Sequence, residues 1–385
     1  MRIPALLIAA VFGAVTVTLW GLANQPVPEP EWPTRIQGFA FSPYHADQDA
    51  VAGDFPSVKQ IEDDLVLLKD RTRSIRTYTT DGTIGEVPAL AQKHQIKVAL
   101  GAWIDARFAH NATEIERAIR LARRHDNIIR LIVGNEVILR GDLPLSALTA
   151  YLDRVRTAVK QPVSTAEPWH VWLRHPELAE HVDYLAVHML PYWEGISAED
   201  SIAYIDDKVA ELEKAFPGKK IVLAEVGWPS NGRTREAAVA SDANEAMFLR
   251  RFLARAKQQG YVYYLMEAFD QPWKAQSEGS VGAYWGVWNV DRDTKFPFKA
   301  PIVRIPEWRT LAAVAVALAL LMLTVFSLDG RRLANSGRSF LAVVAYATAT
   351  TLVWVLYEYS QQYMTVKTVL VGVVLFIGTI GVLAV

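Results

Sequence analysis

The chain has 385 residues, a net charge of −1 and no cysteine. That length holds one large domain and something smaller, the near-neutral charge leaves no overall field to draw in nucleic acid, and the lack of cysteine excludes disulfides and thiolate metal sites. Residues 3–22 are almost free of polar groups and match the ~20 residues of a membrane-spanning helix. We expect an uncleaved anchor over 1–24, with a signal peptide cut after "GLA" as the alternative. "NQPVPEPEWP" follows, giving a stiff, extended stem over 25–34. Short apolar runs then start at Ile36, Ser74, Lys97, Ile128, Pro162, Asp183, Lys220 and Tyr261. Amphipathic stretches separate them. "SVKQIEDDLVLLKD" sets Val58, Ile61, Leu65 and Leu68 at helical spacing. "NATEIERAIRLARRH" opens on Asn111 and Glu114 in the pattern of a capping box, and "ANEAMFLRRFLARAKQQG" stops on Gly260. Eight strands alternating with helices predict a (β/α)8 TIM barrel over 35–305. A doubly wound sheet would carry a Gly-rich phosphate turn after its first strand, and none is present. Over 306–385, three further apolar runs (Thr310–Leu328, Phe340–Leu356 and Thr368–Val385) predict three transmembrane helices. The loop 329–338 between the first two carries Arg331, Arg332 and Arg338. Positive loops stay in the cytoplasm, so the barrel is expected on the outer, periplasmic or extracellular face of the inner membrane. Trp32 and Trp308 are expected at the membrane interface.

In a TIM barrel, chemistry collects at the C-terminal ends of the strands. The strand from Ile128 is apolar apart from Arg130 and runs into Asn135 and Glu136; the strand from Lys220 runs into Glu225. A buried, unpaired carboxylate is costly, so acids in these places point to use at an open mouth. Two carboxylates facing each other amid aromatic rings suit glycoside hydrolysis, one giving a proton to the glycosidic oxygen and the other attacking the anomeric carbon. The remaining strand ends supply Arg76, Tyr78, Trp103, Glu167, Trp169, His188, Tyr192, Trp193, Trp228, Glu267, Asp270 and Trp273. Trp103, Trp169 and Trp228 are candidate sugar platforms; Tyr192, Trp193 and Trp273 are candidates for the acceptor side. Arg76 either keeps one carboxylate charged or forms a structural ion pair. Tyr78 is counted with the substrate contacts. Glu267 is a sugar contact or a salt-bridge partner. His188 orients the acid or fills the barrel top, and Glu167 is a rival acid. No cluster of His and acids has metal-ligand spacing, and no cofactor is called for.

"VGNEV" and "AEVGWPS", with "IRTY" and "EAFDQPWK", resemble signature segments of glycoside hydrolase family 17, a likeness covering roughly residues 35–300. That family contains β-1,3-glucanases and β-glucanosyltransferases on (β/α)8 barrels, with acids after strands four and seven. The resemblance implies Glu136 as general acid/base, Glu225 as nucleophile and Asn135 near the sugar 2-hydroxyl. It also implies a retaining enzyme acting on β-1,3-linked glucan as hydrolase or transglycosylase. Where plant members read "SETGWPS", Ala224 and Val226 here remove two small polar neighbours of the nucleophile. Family members with membrane spans are associated with glucan synthesis, so the expected partners are β-glucan, the lipid bilayer and a membrane glycosyltransferase (glucan synthase). The rival reading is a non-catalytic barrel that holds polysaccharide for such a synthase.

Overall fold

The computed structural model describes residues 5–328 and 333–360, together with Val373 and Ile377. The chain divides into two compact units, Glu29–Ala300 and the pair Met1–Pro28 with Pro301–Val385.

In Glu29–Ala300, eight parallel strands close in sequential order into a barrel. They are β1 (Ile36–Ala40), β2 (Thr72–Arg76), β3 (Lys97–Ala102), β4 (Ile128–Asn135), β5 (Val163–Pro168), β6 (Tyr184–Met189), β7 (Lys220–Val226) and β8 (Val262–Leu265). The interior is filled by Ala99, Ile132, Ala166, Tyr184, Ala186, Val222, Ala224 and Tyr264. The two tyrosines need room. Gly38 provides it, since a Cβ there would lie 2.5 Å from Cδ1 of Tyr264. They also explain Arg130, the one charge in an apolar strand: its guanidinium lies 5.4 Å from the Tyr184 ring centre and 6.0 Å from that of Tyr264, a cation–π setting.

Two strands depart from regular pairing just where they matter. On β4, Ile132 pairs with Ser164 but Asn135 with Ala166. On β7, Val187 faces Leu223 while His188 faces Glu225, and the β8 side is displaced in the same stretch. Each of β4 and β7 thus carries an extra residue close to its C-terminal end. Side chains alternate faces along a strand, so an inserted residue reverses which face the following side chains occupy. Val222 and Ala224 point into the barrel, and Glu225 would otherwise point away from it.

Several expectations change here. The helix expected to begin at Asn111 runs Phe108–Arg124, and Asn111 and Glu114 lie inside it. Asn111 bonds Asp105, and Glu114 accepts from Thr79, Thr80 and the Trp103 amide. The spacing that resembled a cap serves tertiary contacts instead. Trp32, expected at a membrane interface, is buried against Phe296 and Phe298. The end of the Pro-rich stretch is folded onto the barrel unit, where fully buried Arg250 donates to the carbonyls of Glu29, Pro30, Pro297 and Ala300.

In the other unit, helices Ala5–Ala23, Trp308–Leu328 and Asn335–Ser360 are long and apolar enough to cross a membrane. Small residues meet at their contacts, with Ala312, Ala315 and Ala319 on one helix and Ala342, Ala345 and Ala349 on the next. The Tyr346 hydroxyl donates to the Ala9 carbonyl at 2.9 Å. Leu6, Leu19, Leu321, Val325, Phe340 and Val355 point outward. The run Thr368–Val385 lies outside the described residues apart from Val373 and Ile377, as do Arg331 and Arg332.

Candidate active site

Arg76 closes β2 and is 1 % exposed. Its Nη1 donates to Oε1 of Glu225 at 2.9 Å and to the Ala224 carbonyl at 2.8 Å, and its Nη2 donates to Oδ1 of Asn135. The guanidinium lies 4.6 Å from the Tyr78 ring centre, and the Tyr78 hydroxyl donates to the same Glu225 oxygen at 2.8 Å. His188 links the two acids, with Nδ1 2.7 Å from Oε1 of Glu136 and Nε2 3.4 Å from Oε1 of Glu225. Strands β2, β4, β6 and β7 therefore supply one continuous network.

The two acids sit in unlike surroundings. The Glu136 side chain is 26 % exposed and that of Glu225 6 %. Burial alone would push the Glu225 carboxyl up. His188, Arg76 and Lys274, with the Tyr78 hydrogen bond, outweigh burial and hold it below the usual carboxylate range. Glu136 has a left-handed backbone, with φ 57° and ψ 33°, a conformation uncommon for a residue with a Cβ and one that clusters at functional sites. Glu167 holds it there. This buried carboxylate accepts from the amides of Ile138 and Leu139 at 2.8 and 3.3 Å, the start of the short turn Val137–Arg140 that leaves Glu136. Burial pushes Glu167 up to about 7 against these two hydrogen bonds.

A family profile described as the BtgE/BtgC glycoside hydrolase domain matches residues 38–286. The chain belongs to that glycoside hydrolase family. Among relatives, a "probable family 17 glucosidase", SCW4 of Saccharomyces cerevisiae, is 28 % identical over 259 residues, covering 66 % of this chain and 65 % of its own length. This chain thus spans just under two thirds of that relative. A glucan 1,3-beta-glucosidase of Schizosaccharomyces pombe is 30 % identical over 253 residues, covering 60 % of this chain and 78 % of the relative. Among solved structures, an active-site mutant of the Rhizomucor miehei beta-1,3-glucanosyltransferase in complex with laminaritriose superposes with a TM-score of 0.61 at 28 % identity, covering 69 % of this chain and 98 % of that one.

Other strand-end residues of this family member fall into distinct groups. Glu267 is fully buried and accepts from Lys274 Nζ at 2.6 Å. Burial raises it to about 7, offset in part by that lysine. Trp103, Trp169, Trp193 and Trp273 are half-buried. Trp103 has the Arg140 guanidinium 4.6 Å from its centre, and Trp169 has Lys208 Nζ at 4.0 Å, so each has one face occupied. Trp193 stacks on Trp285, and the Trp273 indole donates to Gln271. Tyr192 and Trp228 lie underneath, 2 % and 0 % exposed; Trp228 packs on Phe248 and Tyr192 and donates to the Val239 carbonyl. Neither presents a ring face outward. Asp270 is taken up by Lys295 and the Gly286 amide.

Among the described residues, two His–acid clusters bring possible ligand atoms within 4.8 Å of one another: Glu136, His188 and Glu225, and Asp81, His110 and Glu114. Their partners argue for other uses. Arg76 and Tyr78 occupy the Glu225 oxygen, and a cation there would meet the guanidinium. In the second cluster Arg117 pairs with Asp81, while Thr79, Thr80 and Trp103 occupy Glu114. The salt bridge left open for Glu267 is made with Lys274, at the other end of the same quoted segment; sequence reasoning had no sign of the Glu167 cap, which depends on a contact between two strand ends.

Proposed function

We propose that this glycoside hydrolase is a retaining enzyme acting on β-1,3-linked glucan, with Glu225 as nucleophile and Glu136 as general acid/base. One observation carries the reading: a carboxylate oxygen of Glu136 and one of Glu225 lie within 4.8 Å of each other with His188 between them. Retaining pairs stand ~5–5.5 Å apart, whereas inverting pairs need ~6.5–9.5 Å to admit a water. Glu225, kept ionised, attacks the anomeric carbon, while Glu136 protonates the departing oxygen and later removes a proton from the acceptor. Arg76 and Tyr78 aim the nucleophile, and Arg76 aligns Asn135 with it. His188 fixes the Glu136 carboxyl. The laminaritriose complex of the Rhizomucor miehei glucanosyltransferase supports a β-1,3-glucan substrate. Sugar as acceptor makes the enzyme a transferase; water makes it a hydrolase.

Three apolar helices with small residues at their contacts and large ones outside suit a lipid surrounding, where close packing replaces the hydrophobic drive. The reading extends to a catalytic barrel held outside the cytoplasmic membrane, acting in glucan synthesis or remodelling beside a membrane glycosyltransferase. The deciding experiment is to incubate the chain with a laminari-oligosaccharide of one length and resolve products by mass and anomeric configuration. Products of retained configuration are expected, longer ones marking transfer. Inverted product would remove the covalent intermediate and with it this reading.

A further inference from the structure

All eight strands of the barrel are parallel, so their first residues and the connections into them lie together at the end opposite the candidate active site. That end is basic. Arg71 and Arg73 stand at the start of β2, Lys97 opens β3, Arg124 and Lys160 lie a few residues ahead of β4 and β5, and Lys220 opens β7. All of them are exposed. None is paired with a carboxylate among the described residues, whereas Lys59, Arg107 and Arg154 elsewhere on the barrel each hold an acid. Acids at this end are fewer: Asp183 is taken by Arg156, and Asp70 and Asp126 stand among the cations. The loops at the strand ends carry the opposite sign. Residues 41–57 contain Asp47, Asp49 and Asp54, and residues 190–200 contain Glu194, Glu199 and Asp200, with no Lys or Arg in either stretch. The net charge of −1 conceals this division.

The chain also enters the barrel at the basic end. Arg35, just ahead of β1, donates to the carbonyls of Thr72 and Lys69 at 2.9 and 3.0 Å, and the residues before it lead back to the helix Ala5–Ala23, which is long and apolar enough to cross a membrane. Cations spread around the starts of five strands cannot converge on one small ligand. They fit a broad surface of opposite charge. Lysines and arginines close to anionic lipid are each drawn to it, over a range of about 8 Å at physiological ionic strength. We propose that the strand-start end of the barrel is a docking surface for anionic phospholipid headgroups, which turns the mouth with Glu136 and Glu225 away from the bilayer and toward incoming glucan. This rests on the membrane placement proposed above.

The test uses the full chain, reconstituted in vesicles of phosphatidylcholine or of an equal mixture of phosphatidylcholine and phosphatidylglycerol. The chain has no cysteine. T157C, exposed near the end of the helix Leu145–Ala158 that leads toward β5, and S277C, exposed in the loop after β8, therefore report on the two ends of the barrel. The readout is the rate of labelling by an uncharged polyethylene glycol maleimide. T157C should label about fivefold more slowly, or slower still, in the anionic vesicles, the factor that one lysine near such a surface contributes. S277C should label at the same rate in both. High salt should remove the difference, and so should K97Q, R124Q, K160Q and K220Q combined with T157C. Equal rates for T157C in the two vesicles, the result if these cations meet only solvent ions or an acidic polysaccharide, would overturn the proposal. An equal slowing of S277C, or a difference that survives the four substitutions, would do the same. Cleavage of a laminari-oligosaccharide in neutral vesicles should match between the fourfold variant and its parent, which shows the variant folded; should it not fold, K97Q and K220Q singly must each restore part of the rate. Flotation checks the membrane reading itself: a chain that floats with neither vesicle removes both readings, and one that floats with both yet labels alike removes only the docking surface.

Discussion

Glu225 is ionised because of its neighbours. Burial favours the neutral acid, and His188, Arg76, Lys274 and Tyr78 reverse that preference. A carboxyl held below its unfolded value contributes stability at neutral pH that is lost as the pH falls through the depressed value. Removing Arg76 lets burial regain weight. In R76M the acid limb of the kcat/KM profile should move to higher pH by about one unit or more, the size of a lost opposite charge. A limb that stays in place would assign it to another group. Glu136 and Glu225 should also separate by substrate. E136Q should slow natural glucan by about 10²–10⁴-fold yet spare formation of the glycosyl–enzyme from a glucoside with an activated leaving group, which needs no proton. E225Q should lose both reactions, and burst kinetics with an aryl glucoside distinguish the two.

Two further elements are fixed by buried groups outside that network. The turn Val137–Arg140 is pinned by Glu167, whose folded value of about 7 lies above its ordinary 4.5. Between those values the folded chain keeps a proton that the unfolded chain has released, so stability falls as pH rises across that window. E167Q keeps an acceptor for one amide and removes the titration, so its melting temperature should fall less between pH 4.5 and 7 than that of the parent. E167A leaves both amides unpaired and should lower kcat as well, read in the same assay. Arg250 gathers carbonyls from residues 29–30 and 297–300. Hydrogen bonds to a charged donor contribute about 1.5–3 kcal/mol each, and buried acceptors left bare are unfavourable. R250A should therefore lose about 3 kcal/mol or more by denaturant unfolding. R250K, a single point donor in place of a planar fork, should recover little of it.

For the molecule as a whole, the barrel unit and the apolar helices make separate demands. The barrel has its own core, with buried charges such as Arg76, Glu167 and Glu225 near its strand ends, whereas the helices turn large apolar side chains outward. If the helices span a membrane with the barrel outside, Ser277 and Ser336 lie on opposite sides. The native chain has no cysteine, so S277C and S336C report cleanly with an impermeant thiol reagent. Labelling of S277C alone in intact cells is expected; labelling of S336C alone would reverse the topology.

Much of this was legible in local pattern. Strand and helix periods repeat over a few residues, so the eight strands beginning near Ile36, Thr72, Lys97, Ile128, Val163, Tyr184, Lys220 and Val262, and the barrel they form, could be read from the chain. The places of Glu136 and Glu225 near the ends of β4 and β7 could be read as well, because a charge at the end of an apolar run stands out. The chain order cannot reveal what depends on partners distant in sequence. The extra residues on β4 and β7 appear only when neighbouring strands are paired, and the β7 insertion is what turns Glu225 inward. Asn111 and Glu114 had the spacing of a cap and serve as tertiary ties; Trp228 had the look of a platform and is fully buried against Tyr192 and Phe248. Glu167 lies in no quoted motif, and the segment that holds both Glu267 and Lys274 does not by itself show that they pair. Hydrogen-bond satisfaction and packing are decided by which groups meet once the barrel closes, and a side chain's role follows from that meeting rather than from its place along the chain.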